Sequence, residues 1–173
     1  MKISLIIGVF IMSIMGQSLE AKNEYNAEKI DISFKNVTNF HSVAPNLASS
    51  GLIKLDDYQL IKDYGFKHVI NLIPGEQMEE RAHVKSLGLS YSQIQVDWSE
   101  PSLDNFERFT ELMKSYGKDN VYVHCEANYR ASTFVYLYRV TKLGVPLADA
   151  KKELLKVWTP SQTWQDFIEK VLF

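Results

Sequence analysis

A short apolar run at residues 121–123 leads directly into the polar segment 124–132, and a long apolar-periodic stretch begins near Arg130. This order predicts a buried strand, a tight loop and the first turn of a helix. In such a unit several backbone N–H groups point at one spot, with the positive end of the helix dipole behind them. The chain is therefore predicted to be an α/β protein with an anion site at this loop.

Two side chains in the loop suit a reaction at that anion site. The field of a helix N-terminus favours a thiolate over a thiol, so Cys125 is predicted to be a nucleophile. Arg130 adds a planar fork of donors that matches oxyanion geometry. A lone cysteine at a strand end is more often a small buried hydrophobe. The flanking His124, the arginine and the strand–loop–helix setting together favour attack by Cys125 on a bound oxyanion ester.

The loop resembles the signature His-Cys-x5-Arg-Ser/Thr of the cysteine-based protein tyrosine phosphatases, especially their dual-specificity branch. It resembles more closely a bacterial relative with the shorter spacing Cys-x4-Arg, the β-lactamase-hydrolase-like phosphatase family. The resemblance covers most of residues 39 to about 158, although only the loop is specific to the chemistry. It implies a single domain with a mostly parallel central sheet flanked by helices, and phosphoester hydrolysis without a cofactor.

The sequence departs from the usual signature in several places. The arginine lies five residues after the cysteine instead of six, and Ala131 follows it where a Ser or Thr is usual. Ser132 lies seven residues after the cysteine, which is the separation at which the longer signature places its Ser or Thr. Asn128 replaces a common glycine, and asparagine tolerates positive φ better than most residues. Glu126 should oppose thiolate formation and repel polyanions.

The resemblance also suggests roles around the nucleophile. Ser132 would donate to the departing thiolate, and His124 would hold the shape of the loop, unless it is merely a hydrogen-bonded strand-end histidine. Tyr129 would flank the pocket or stack on a substrate. Trp98 is expected to pack its loop against the core, with a place on the rim of the site as the alternative. The predicted phosphate-binding loop consists of His124, Glu126, Ala127, Asn128, Tyr129, Ala131 and Ser132.

A phosphatase of this type needs a general acid for the leaving oxygen, and Asp97 is the best candidate. It follows a predicted strand at residues 91–96, at the carboxyl edge of the sheet where sites in α/β proteins lie. Its separation from Cys125 is similar to that of the acid loop in the dual-specificity branch. Glu100 is the second candidate. Asp104 is the third, because an acidic residue in the first turn of a helix needs no further explanation.

Two other functions stay open beside a cysteine-dependent phosphatase that works through a thiophosphoryl-cysteine intermediate. Rhodanese-like sulfurtransferases also use Cys-x4-Arg loops, but the three helical segments predicted after the loop argue against that fold. A non-catalytic phosphate-binding module is suggested by Glu126 and the irregular spacing of the loop.

Composition limits the class of protein and its partners. With 173 residues and 46% hydrophobic content, one domain with a full core is expected. A net charge of −2 without basic runs disfavours nucleic acid. The histidines at 41, 68 and 83 lack ligand spacing, so no metal is predicted. The expected partner is a phosphorylated substrate, either a protein or a small molecule, and no pattern specifies an oligomeric state.

The N-terminus predicts export. Lys2 precedes an apolar run at residues 3–15, and Ala21 ends a polar segment that suits cleavage. This pattern is typical of a secretory signal peptide at residues 1–21, too short for an ordinary membrane span. A polar linker would follow at 22–35 and the catalytic domain at 36–173. We expect a periplasmic or secreted protein without stable membrane insertion after cleavage; an uncleaved anchor is the alternative.

Strand and helix patterns alternate along the rest of the chain. Strands are predicted at 47–50, 68–72, 91–96 and 121–124, and helices at 54–64, at 76–87, from about 101, and in three segments after the loop. This alternation predicts a parallel sheet covered on both faces. The apolar stripes of the helices are expected to be core, including Leu103, Phe106, Phe109, Leu147, Leu154 and Leu155.

Overall fold

Five four-residue strands form the central sheet in the computed structural model, which describes residues 34–173. Strand β1 runs antiparallel to β2, whereas all other neighbouring strands are parallel, in the order β1-β2-β5-β3-β4. The predicted mostly parallel α/β fold is therefore confirmed. The sequence prediction missed β1, a half-buried edge strand without apolar alternation. The strands are β1 His41–Ala44, β2 Leu47–Ser50, β3 His68–Asn71, β4 Ser90–Gln93 and β5 Val121–His124.

Six α-helices cover the sheet, each in a segment where the sequence predicts one. A short 3-10 turn, Leu55–Asp57, precedes the first, and the Ser102 hydroxyl caps the third by accepting a hydrogen bond from the Asn105 amide at 3.2 Å. The helices are α1 Tyr58–Asp63, α2 Met78–Ser86, α3 Leu103–Tyr116, α4 Tyr129–Thr141, α5 Leu147–Val157 and α6 Gln162–Leu172.

The two-residue periodicity of the strands divides the apolar side chains between two cores. In β5, Val121 and Val123 face one core, which α3, α4 and α6 cover, and Tyr122 faces the other. Phe34 is fully buried in that second core and stacks on Phe40, with ring centroids 4.4 Å apart, so the packed domain includes residue 34. The predicted signal peptide and most of the predicted linker lie outside the described residues.

Two sequence predictions about the packing need correction. Strand β4 ends at Gln93, not at residue 96, because it lies at the edge of the described sheet and its paired neighbour, β3, ends at Asn71. The stripe predictions fail at Leu103, Leu147 and Leu155, which are about half exposed, because they lie at the outer sides of their helices. No helix within residues 34–173 combines the length and the hydropathy needed to cross a membrane.

Candidate active site

The loop between β5 and α4 lines a cavity of about 300 Å³ at the carboxyl edge of the sheet. Cys125 lies at its base, only 1% exposed, and its amide donates to the carbonyl oxygen of Ser50 in β2 at 3.1 Å. The amides of the first turn of α4 lack intrahelical acceptors and provide the donors of an anion site. The residues that line the cavity are Trp98, Cys125, Glu126, Ala127, Tyr129 and Arg130.

The turn into α4 depends on a left-handed residue. Asn128 has φ 68° and precedes the first residue of the helix, so this asparagine fills the glycine position of the usual loop in the predicted way. Its side-chain amide donates to the carbonyl oxygen of Asn39 at 2.6 Å, and the Asn39 amide donates to the carbonyl oxygen of Ala127 at 3.1 Å. The two asparagines thereby hold the loop against the start of the domain.

A close backbone approach supports the loop from behind. Gly51 forms an isolated bridge with Ala127, and the neighbouring Leu52 amide donates to the carbonyl oxygen of Glu126 at 2.9 Å. A Cβ atom on Gly51 would lie 2.6 Å from that same oxygen, closer than packed atoms allow. The shape of the loop therefore requires glycine at this position.

Arg130 connects the nucleophile loop to the segment that carries the predicted acid. Its Nη1 donates to the carbonyl oxygen of Val96 at 3.0 Å, and its Nη2 donates to Glu126 Oε2 at 2.5 Å. The Arg130 side chain is 4% exposed, whereas that of Glu126 is 64% exposed. A phosphate that binds a guanidinium in bidentate geometry takes two neighbouring nitrogens, and Val96 and Glu126 already occupy Nη1 and Nη2. Glu126 would have to yield to a substrate that takes its place.

A buried polar network supports the loop from below. His124 Nε2 lies 2.8 Å from Glu80 Oε1 and 3.3 Å from the hydroxyl of Tyr58. Asn71 donates to both carboxylate oxygens of Glu80 at 3.0 Å. Burial by itself raises the pKa of Glu80, but the hydrogen bond and charge of His124 outweigh it, and the pKa lies below its ordinary value. His124 is therefore a hydrogen-bonded histidine at the end of the strand, and its role in holding the shape of the loop stays a prediction.

The sequence did not reveal Glu80. It lies in α2 beside Glu79, in a run of charged residues that is typical of a solvated helix face. Only the parallel pairing of β3 with β5 brings α2 under the end of β5. His124 Nδ1 is buried without a hydrogen-bond partner among the described residues.

Asp97 occupies an exposed loop beside the cavity but does not line it. Its Oδ1 accepts hydrogen bonds from the Ser99 hydroxyl at 2.6 Å and from the Ser99 amide at 2.7 Å. These bonds hold the pKa of Asp97 below its ordinary value, with a smaller contribution from the charge of Arg130. The carboxylate is thus ionised in this conformation, and its role as a general acid stays a prediction.

The other predicted residues divide between the cavity and its surroundings. Trp98 is 43% exposed and lines the cavity, while its carbonyl oxygen accepts a hydrogen bond from the Trp164 indole at 3.1 Å, so both interpretations of it hold. Tyr129 flanks the cavity and stacks on Trp158, with centroids 4.7 Å apart. Ser132 does not line the cavity; its hydroxyl donates to the carbonyl oxygen of Tyr129 at 3.3 Å. Its predicted bond to the thiolate stays a prediction.

The described part of the chain contains no group of three or more His, Cys, Asp or Glu residues close enough to hold a metal ion. The arrangement that remains is a cysteine at the base of a small cavity, helix-terminal amides around it and one buried arginine. Such a set can bind a tetrahedral oxyanion and attack its central atom from the thiolate.

Solved structures share this architecture. A DUF442 protein from Shewanella putrefaciens CN-32, designated a phosphatase, superposes with a TM-score of 0.72 at 32% identity, over 82% of this chain and 95% of its own. The catalytic domain of the PP-IP phosphatase Siw14 from S. cerevisiae, in complex with citrate, has a TM-score of 0.65 at 19% identity, over 76% and 83% of the two chains. PTPMT1 in complex with PI(5)P has a TM-score of 0.63 at 19% identity, over 76% and 93%.

No protein-family model and no curated protein matches the sequence. The two more distant structures establish the fold alone, whereas the similarity to the Shewanella protein extends over almost its whole length. Together with the cysteine loop at the end of β5, this similarity shows that the chain belongs to the DUF442 family, and its fold is that of the cysteine-based protein tyrosine and dual-specificity-like phosphatases.

Proposed function

We propose that the protein hydrolyses phosphomonoesters through a thiophosphoryl intermediate on Cys125. The observation that carries this proposal is the convergence of Cys125, Arg130 and the N-terminus of α4 on one cavity of about 300 Å³. A phosphoryl group fits such a volume with part of its leaving group. Enclosure also strengthens each charge-assisted hydrogen bond to it.

In the first displacement the Cys125 thiolate attacks phosphorus and the bond from phosphorus to the ester oxygen breaks. Arg130 and the loop amides stabilise the equatorial oxygens, where negative charge gathers. Asp97, in its protonated form, donates its proton to the leaving oxygen. The ordered position of Arg130 favours this step because Val96 and the helix hold the guanidinium before a substrate arrives.

In the second displacement water attacks phosphorus and the bond from sulfur to phosphorus breaks. The Asp97 carboxylate takes a proton from that water, so inorganic phosphate leaves and the thiolate is restored. The ionised state that Ser99 stabilises is the form this step requires. No oxidant, metal or cofactor enters either displacement.

We also propose export to the periplasm or beyond the cell, on the strength of the N-terminal apolar run after Lys2. Siw14 acts on inositol pyrophosphates and PTPMT1 was crystallised with PI(5)P. Glu126 in the loop of this chain disfavours such highly phosphorylated ligands, because several negative charges would approach its carboxylate at once. Singly phosphorylated substrates therefore suit the cavity better.

Hydrolysis of p-nitrophenyl phosphate by the freshly reduced protein, with Cys125→Ser alongside, tests the proposal. We expect turnover by the wild type and a loss of at least about 10³-fold in the variant, because serine is not activated by the loop. Serine replaces one atom in the buried site, so thermal unfolding should change little and serves as the control for folding.

The opposite result would redirect the assignment. Equal rates in both proteins would exclude Cys125 as the nucleophile. Thiocyanate formation from thiosulfate and cyanide, without phosphate release, would favour the sulfurtransferase, and phosphate binding without turnover would favour the binding module.

A further inference from the structure

The cavity differs from a strongly basic phosphate site in its charges. Of the six residues that line it, Arg130 is the one base and Glu126 the one acid, and they form an ion pair with each other. Two more are the aromatic residues Trp98 and Tyr129. A substrate that enters this cavity therefore meets a paired charge and an aromatic wall.

The two members of the ion pair are held unequally. Arg130 is buried, and its Nη1 is bound to the carbonyl oxygen of Val96, whereas most of the Glu126 side chain is exposed. When a phosphate binds to Arg130, it competes with the Glu126 carboxylate for the same guanidinium. Glu126 is the member that can move, because it is exposed. Its carboxylate then loses the Arg130 guanidinium as a partner while the negatively charged phosphate binds beside it.

A substrate with a cation near its phosphate would compensate for this loss. The ammonium group of such a zwitterion pairs with the released carboxylate while the phosphate pairs with Arg130, so neither charge of the original pair is left alone. A neutral alcohol ester satisfies only the arginine.

The aromatic residues provide a second attraction for a cation. The ring centroids of Trp98 and Tyr129 are 6.1 Å apart, and Trp158 stacks behind Tyr129. Trp98 is tilted against both rings and remains partly open to solvent. Aromatic faces attract ammonium groups within about 6 Å of the ring centroid, and Trp does so most strongly.

We infer that the preferred substrate class is a small phosphomonoester of an amino alcohol, with an ammonium group a few bonds from phosphorus. Its phosphate binds to the loop amides and Arg130, and its ammonium group lies between Glu126 and the faces of Trp98 and Tyr129. This inference rests on the proposed phosphatase function and assigns the discrimination between substrates to Glu126.

A matched pair of esters tests it. Phosphocholine and 3,3-dimethylbutyl phosphate have the same shape, and a neutral carbon in the second replaces the charged nitrogen of the first. We expect kcat/KM for phosphocholine to exceed that for the neutral ester by about tenfold, because the ion pair and the aromatic contacts act on the cation alone. The ratio of the two values reports the preference even where a variant changes both rates.

In Glu126→Gln this ratio should fall most of the way towards one, because only the aromatic contacts remain, and in Trp98→Leu it should fall by less. Glu107→Gln removes a carboxylate from an exposed position of α3 outside the cavity, so it should leave the ratio unchanged. Titration of both esters into Cys125→Ser by calorimetry measures the same preference as binding, without turnover.

The outcomes separate this inference from the function on which it rests. Turnover of p-nitrophenyl phosphate with equal kcat/KM for the two esters would overturn the substrate class and leave the phosphatase standing. A preference that is undiminished in Glu126→Gln would overturn the role of that residue. Absence of turnover with all three esters, together with equal binding of the matched pair, would overturn both proposals.

Discussion

The loop that carries Cys125 and the loop that carries Asp97 meet at one edge of the sheet, but they are held in different ways. The cysteine loop is largely buried, apart from Glu126, and distant parts of the chain brace it through Gly51, Asn39 and the bonds of Asn128. The Asp97 loop is exposed, and its carboxylate is bound mainly within the loop, by Ser99. The bond from Arg130 to Val96 and the ring contact between Trp98 and Tyr129 join the two loops.

This difference matches what the two steps of the reaction need. The nucleophile and the phosphate cradle must keep their geometry to gain from preorganisation, and a misplacement of about 1 Å can cost roughly 10²-fold in rate. An acid that becomes a base must instead gain and lose a proton at each turnover, which requires access to water. In the proposed mechanism the rigid loop thus positions the phosphoryl group, and the exposed loop exchanges the proton.

The largest expected effect tests the exposed loop. Asp97→Asn should lower kcat for an alkyl phosphate by about 10²–10⁴-fold, because an alkoxide leaves poorly without a proton. The loss should be smaller for p-nitrophenyl phosphate, whose leaving group is a weaker base. Steady-state kinetics with both esters measures the difference, and Glu100→Gln, in the same loop, is the matched control. A larger loss in Glu100→Gln would transfer the role of the acid to Glu100.

The same variant carries a pH prediction. The lowered pKa of Asp97 means that the protonated fraction in the free enzyme decreases as pH rises through that value. For alkyl esters we therefore expect the pH profile of kcat/KM to contain a limb that decreases with rising pH as Asp97 loses its proton. This limb should begin below the ordinary pKa range of a carboxyl group, and Asp97→Asn should flatten it. A limb that is unchanged in the variant would show that another group titrates.

A smaller effect tests the rigidity of the cysteine loop. Gly51→Ala forces a Cβ atom against the carbonyl oxygen of Glu126, so the loop must shift. We expect kcat/KM to fall about 10²-fold and the free energy of unfolding to fall by about 1–3 kcal/mol. Gly88→Ala is the control. Gly88 has a φ of 80°, which strains an alanine, but a Cβ atom there would meet no other atom within 4 Å, so this variant should lose stability without losing activity. Full activity in Gly51→Ala would show that the brace is dispensable.

The smallest effect concerns the network below the loop. Glu80→Gln should lower the free energy of unfolding at pH 7 by about 1–3 kcal/mol, because it leaves His124 with a weaker partner. Since the folded pKa of Glu80 lies below its unfolded value of 4.5, this stabilisation is present above about pH 4.5 and is lost as pH falls through the folded value. Denaturant titrations at pH 7 and below pH 4 measure it. Glu79→Gln, on the exposed side of the same helix, should change little; equal losses in both variants would contradict the network.

Much of the fold was predictable because its signals are local. The helices follow from apolar periodicity and turn residues, and β3 and β5 from short apolar runs at the predicted places. The positive φ of Asn128 was predictable because this residue stands at a position where the loops that it resembles commonly have glycine, and asparagine tolerates that conformation. The antiparallel strand β1 and the early end of β4 were not predictable, because both depend on the neighbouring strand and not on their own residues.

The candidate site likewise combines features that follow from the local sequence with features that depend on distant contacts. The sequence alone placed Cys125, Arg130 and the start of the following helix together, because these lie within six residues of one another. Tertiary structure alone decided that Glu80 supports His124, that Gly51 braces the loop and that Glu126 pairs with Arg130 beside an aromatic wall. Those contacts join separate elements or depend on the rotamer of a side chain, and a linear pattern encodes neither.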